Sequence, residues 1–162
     1  MNQQISSVDR VRTALTEAGL STRIEEFPAS TRTAQEAASA IGTSVGQIVK
    51  SLIFMAGQAP VLALMSGSNR LDLERLATLA GAPIRKANAD VVRAATSYAI
   101  GGVPPIGFPA PLQTFIDRDL LEFETVWAAA GTPRHVFAIT PSDLVRVTAG
   151  RVDALRASSA WV

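Results

Sequence analysis

Only two of the fifteen basic residues in this chain are lysines. One of them, Lys50, lies inside the apolar run Ile48-Val49-Lys50-Ser51-Leu52-Ile53-Phe54. Strand alternation sets Lys50 on the same side as Leu52 and Phe54, with Ser51, Ile53 and Met55 opposite. A lysine in that phase can lay its methylene stem over apolar neighbours and keep its ammonium in water. If it is desolvated instead, it needs an anion, resident or bound. A second candidate is the segment from Gly101 to Pro111, GGVPPIGFPAP, with three glycines and four prolines in eleven residues. Regular structure is excluded there, so it must be a shaped loop. Gly101 and Gly102 admit a ligand close to the main chain, while Pro104 and Pro105 fix neighbouring torsions. The loop lacks both the Lys-Ser/Thr ending of a phosphate-binding loop and the spacing of a dinucleotide fingerprint, and a plain tight turn is its simplest alternative. The third candidate is His135, the single histidine, four residues after Gly131.

The composition removes several chemistries. There is no cysteine, hence no disulfide, thiolate nucleophile or cysteine metal site, which fits a reducing compartment. One histidine cannot build a histidine metal cluster, so a metal site is not expected. Ser66-Gly67-Ser68 has no second histidine or triad to make a serine hydrolase. Asp117, Asp119 and Asp143 fall where helix caps are expected. A formal net charge of +1 does not advertise duplex DNA, so any nucleic-acid contact should be local. No signal-like or membrane-spanning apolar stretch is apparent, and a soluble, cytoplasmic protein is expected.

These residues need elements to hold them. Val8, Val11 and Leu15 followed by Gly19 predict a helix over 7–18. Thr33 three residues before Glu36 has the spacing of a capping box and opens a helix over 33–41. A hairpin with strands at 48–55 and 60–65 turns at Gly57-Gln58-Ala59-Pro60 and should lie centrally, being the most apolar part. Leu73, Leu76 and Leu79 give a helix over 72–80. Short strands are expected in TRIEEF, APIRKA, LQTFID, FETVWAAAG and RHVFAIT, and short helices after Asn88 and in TPSDLVRV. With 48% hydrophobic residues in 162, and no repeat or linker-like composition shift, the expectation is one domain over 1–162. Its class should be α/β: a mixed, largely antiparallel, curved sheet surrounded by helices.

The order of the stretches EAASAIGTSVGQIVKSLIF, RLDLERLATLAG, YAIGGVPPIGF, FIDRDLLEFETVWAAAG and FAITPSDLVRVTAG resembles the YbaK family, also called the prolyl-tRNA-synthetase-associated or editing-insertion domain family. The resemblance spans roughly residues 20–155, and five ordered motifs are more specific than any one. It implies a freestanding hydrolase of the ester joining a wrong amino acid to the terminal adenosine of a tRNA, most often tRNA(Pro), with no metal or cofactor. The family's lysine falls on Lys50 and its glycine-x-x-x-proline loop on Gly101 to Pro105. In the branch that clears alanine, a histidine near the substrate side chain matches His135.

The resemblance therefore implies catalytic roles for Lys50, Gly101 and Gly102, and substrate contacts from Lys50, Val103, Pro105 and His135, all converging on one pocket. Lys50 would hold the phosphate or ribose end of the acylated tRNA. An aminoacyl ester is already activated, so a positioned water, backbone N–H groups of the loop around the oxyanion and the substrate's own ribose hydroxyl could suffice. His135 is then a wall of the amino-acid pocket rather than a general base. One departure stands out: Val103-Pro104-Pro105 replaces a segment that is often Ser-Pro in relatives, which removes an N–H donor. The implied substrate is alanyl-tRNA(Pro) or another small amino acid on that tRNA. The acceptor end is the main partner, with prolyl-tRNA synthetase or an elongation factor as further ones. The rival reading is a binding module that grips tRNA or a synthetase without hydrolysis. A structural reading, with a snorkelling lysine, a turn and a surface histidine, leaves the motif order unexplained.

Overall fold

The computed structural model describes residues 6–29, 31 and 33–158. Helix α1, Ser7–Glu17, starts at Ser6, whose side chain accepts the Asp9 N–H, and buries Val11 and Leu15. Helix α2, Ala34–Ile41, carries the full capping box between Thr33 and Glu36 and ends on Gly42 in the left-handed region. The apolar hairpin forms strands β2, Val49–Ala56, and β3, Ala59–Ser66, paired antiparallel from Val49↔Ser66 to Ala56↔Ala59. Gly57 supplies the positive φ of 63° at its two-residue turn. Asp72 caps α3, Leu73–Ala80, and Asn88 caps α4, Ala89–Thr96. Thr140 caps α5, Pro141–Thr148.

The strands sort into two sheets. In the larger, β2 and β3 sit centrally, flanked by β4, Ile84–Lys86, on one side and by β5, Gln113–Asp117, then β8, Arg151–Asp153, on the other. The β3–β5 and β5–β8 pairs are parallel and the others antiparallel. The smaller sheet orders β1, Ile24–Glu26, beside β7, His135–Ile139, and then β6, Val126–Ala129, all antiparallel. A mixed, mainly antiparallel α/β architecture agrees with the sequence pattern. Its division into two sheets, and the strand β8, were not anticipated.

Both faces of the larger sheet are covered. Val49, Ile53, Leu62, Leu64 and Ile116 enter the main core with Val11 and Leu15 of α1, Leu144 of α5 and Phe137 of the small sheet. Val61, Ala63, Met65 and Phe115 face Leu76 of α3 and Leu155 in a second cluster, against which Leu52 and Phe54 pack. Lys50 keeps the strand phase of Leu52 and Phe54, as alternation requires. Among the described residues no helix is long and apolar enough to cross a membrane.

Candidate active site

A cavity of about 420 Å³ opens where the two sheets meet, within the size range of small-molecule sites. Its position follows from incomplete strand pairing. Strand β4 covers β2 only at Phe54, Met55 and Ala56, so the same edge is bare at Val49–Ile53. Strand β6 approaches that edge through one parallel bridge, Ile48↔Trp127, and no ladder continues from it. The gap is lined by Val49 to Leu52 on one side and by Trp127, Ala128, Ala129 and Val136 on the other. Helix α2 closes it with Ala34, Ala37 and Ile41, and the glycine-proline loop reaches it with Ile100, Gly101 and Val103.

Lys50 stands on this wall half-buried. Its Nζ donates to the carbonyl of Asn69 at 2.5 Å. Burial pulls the ammonium below the ordinary lysine range, and the charge of Asp117 offsets part of that fall. Gly101 has φ 94°, which favours glycine. The loop offers fewer oxyanion donors than its glycines suggest. The Gly102 N–H is bonded to Ala99 O at 3.0 Å, and Pro104 and Pro105 have none. Gly101 and Val103, both on the cavity wall, have N–H groups with no acceptor among the described residues.

Gly102, Pro105 and His135 are not among the residues lining the cavity. Gly102 packs against the next turn: a Cβ there would sit 2.8 Å from Thr132 Cα and 2.9 Å from Gly131 C and O. Its carbonyl accepts the Gly131 N–H at 3.0 Å. Pro105 borders a separate apolar recess with Ile106, Phe108 and Leu112. His135 pairs across strands with Glu26. Its Nδ1 lies 2.5 Å from Thr132 Oγ1 and its Nε2 3.7 Å from Glu26 Oε2. Alternation along β7 turns His135 to the side of Phe137 and gives the cavity to Val136. The cavity therefore joins Lys50, Gly101 and Val103, while Gly102, Pro105 and His135 lie off its lining.

Thr31, Ala37, Trp127, Ala129 and Val136, none of which stands out in the sequence as a site residue, also line the cavity. Thr31 is tied to Pro133 O by both its N–H and its hydroxyl. The alternation of β6 and β7 was the only signal for Trp127, Ala129 and Val136, and small or apolar side chains look like core in a sequence.

The fold is that of the aminoacyl-tRNA editing domains. The structure matches a crystal structure described as a candidate trans-editing enzyme for prolyl-tRNA synthetase with a TM-score of 0.91 and 47% identity, covering 96% of this chain and 100% of that one. The aminoacyl-tRNA editing domain family matches residues 28–147; the chain belongs to that family and is an enzyme of the aminoacyl-tRNA deacylase type. It is 30% identical over 147 residues to the uncharacterized protein YwhH of Bacillus subtilis, covering 90% of this chain and 94% of the relative. It is 26% identical over 120 residues to EbsC of Enterococcus faecalis, with 73% of each chain covered. That relative is named as a candidate Cys-tRNA(Pro)/Cys-tRNA(Cys) deacylase.

Proposed function

We propose that this chain acts in trans on tRNA(Pro), hydrolysing the ester of a small, wrongly attached amino acid, with alanine as the first substrate. The observation that carries the reading is that Lys50, Gly101 and Val103 line one and the same small-walled cavity. Ala37, Ala129 and Val136 leave room for a methyl-sized side chain. Excluding proline by sterics is a task a pocket does well, whereas rejecting something smaller is not.

In this reading the amino acid enters between β2 and β6, and the terminal ribose lies toward Lys50. The ammonium holds a ribose or phosphate oxygen of the acceptor end, a charge-assisted bond in a half-desolvated place. Ile100, 55% exposed at the loop, offers an apolar surface for the terminal base. The free N–H groups of Gly101 and Val103 face the developing oxyanion, a water attacks the carbonyl carbon, and the ribose oxygen leaves with a proton. The neighbouring ribose hydroxyl orients that water. His135 does not contact the substrate in this scheme, and Gly102 and Pro105 shape the loop without touching the ester.

Cysteine is the second amino acid to consider, because the EbsC relative is named for it and a thiol fits the same walls. A deacylation panel of alanyl-, seryl-, cysteinyl- and prolyl-tRNA(Pro) tests the proposal. Alanyl-tRNA(Pro) should be cleared fastest and prolyl-tRNA(Pro) spared. Lys50→Ala should lower kcat/KM by about ten- to a hundredfold, the scale of losing one charge-assisted hydrogen bond to the substrate, with its circular dichroism unchanged. Full turnover in that folded variant removes Lys50 from the mechanism, and binding of tRNA without release of any amino acid favours the binding-module reading.

A further inference from the structure

Asp117 is fully buried at the end of β5. Its carboxylate accepts three N–H groups: Ser66 N at 3.1 Å, Asn69 Nδ2 at 2.8 Å and Asp119 N at 3.0 Å. Only the last of these is the helix-cap bond that the sequence predicts. Among the described residues no cation is in ion-pair contact with it. Asn69, 7% exposed, uses its amide on two carboxylates at once, giving one proton to Asp117 and the other to Asp119 Oδ2, each at 2.8 Å. The main-chain carbonyl of the same Asn69 receives the Lys50 ammonium. One residue thus has its side chain clamped by two anions and its carbonyl bonded to the cation on the cavity wall.

We propose that Asp117 and Asn69 are positioning residues for Lys50: Asp117 is its buried counter-charge, and Asn69 is the rigid link that fixes where the ammonium points. A carbonyl alone could orient the ammonium but brings no net charge to balance it. A carboxylate in direct contact would balance the charge but bind the ammonium too tightly to share it with a substrate oxygen. Interposing Asn69 separates the two tasks, leaving the ammonium further N–H donors for a ligand. Burial alone works against the protonated form, and the Asp117 charge works for it. The other charged groups brought near by adjoining elements are Asp119, which Arg156 approaches at 3.6 Å, and the exposed Arg70 that follows Asn69. Ser66 and Ser68, at the end of β3 and just beyond it, are uncharged.

The inference rests on the proposed role of Lys50 for its catalytic meaning but not for its physical test. The chain has two lysines, so protein labelled with 13C at the lysine ε carbons gives two signals, assigned by Lys86→Arg. In Asp117→Asn the titration midpoint of Lys50 should fall by about one pH unit while that of Lys86 stays in place. The alkaline limb of deacylation should move down with it. In Asn69→Ala, which keeps the carbonyl and loses the clamp, the Lys50 ε carbon should become more mobile and KM should rise more than kcat falls. This second variant carries the test if Asp117→Asn does not fold. An unmoved Lys50 midpoint in folded Asp117→Asn, or unchanged Lys50 mobility in Asn69→Ala, overturns the proposal. If the signals move as expected but Lys50→Ala still deacylates, the network stands and the catalytic reading of Lys50 falls.

Discussion

Along β7, one position separates a cavity residue from its backing: Val136 meets the substrate space, and His135 turns to Thr132 and Glu26. The two substitutions should therefore behave differently. Val136→Ala widens the wall and should raise the rate on prolyl-tRNA relative to alanyl-tRNA. His135→Ala loosens the Thr132 turn that backs the loop, and should lower both rates together with their ratio unchanged. Measuring kcat/KM for both esters separates them, and a relaxed ratio in His135→Ala would return that residue to the wall. The phase of Lys50 was legible because a charge in a strand marks its own face. The phase of His135 was not, since Val136 and Ala138 on one side and Phe137 and Ile139 on the other are all apolar, and such a strand carries no amphipathic signal.

At the scale of elements, local chemistry was readable and pairing was not. Thr33 with Glu36, and Asn88, cap the helices their spacing announces, and the helices expected over 72–80 and in TPSDLVRV start on the caps Asp72 and Thr140. Strand β8 has three residues and exists through its parallel pairing with β5, a non-local fact that no short window contains. The bare edge of β2 likewise depends on where β4 stops. The glycine-proline loop shows the same division: its irregularity was evident, but which glycine faces a ligand depends on what packs behind it. Gly102 is wedged against main chain. Gly102→Ala should therefore destabilise the protein by about 1–3 kcal/mol through overpacking, since the atoms it meets at 2.8–2.9 Å are backbone and cannot rotate away. Urea melts give the stability loss. Activity should fall as well at concentrations where the variant is folded, because Gly101 and Val103 move with the loop. A Gly102→Ala protein as stable as the parent would show that the two turns are not held in contact.

Across the whole molecule, the site exists because two sheets approach each other and fail to merge. They share the main core, where Phe137 and Ile139 of the small sheet pack with Val49 and Ile53 of the large one. Among the described residues, the one β-bridge between them at the cavity is Ile48↔Trp127. Ile48 is 6% exposed and packs with Ala37 and Ala38 of α2, with Trp127 against them, so a single side chain ties both sheets to the helix that roofs the cavity. Ile48→Ala should cost about 2–5 kcal/mol, as large-to-small core changes do, and should also raise KM because the walls lose their common anchor. Leu76→Ala provides the control. Leu76 is fully buried in the second cluster under α3 and is not among the residues lining the cavity, so it should cost a similar amount of stability. With both variants assayed well below their melting temperatures, KM should rise for Ile48→Ala and stay near the parent value for Leu76→Ala. Equal KM values would mean that the junction contributes only stability, and that cavity geometry is set by the shared core.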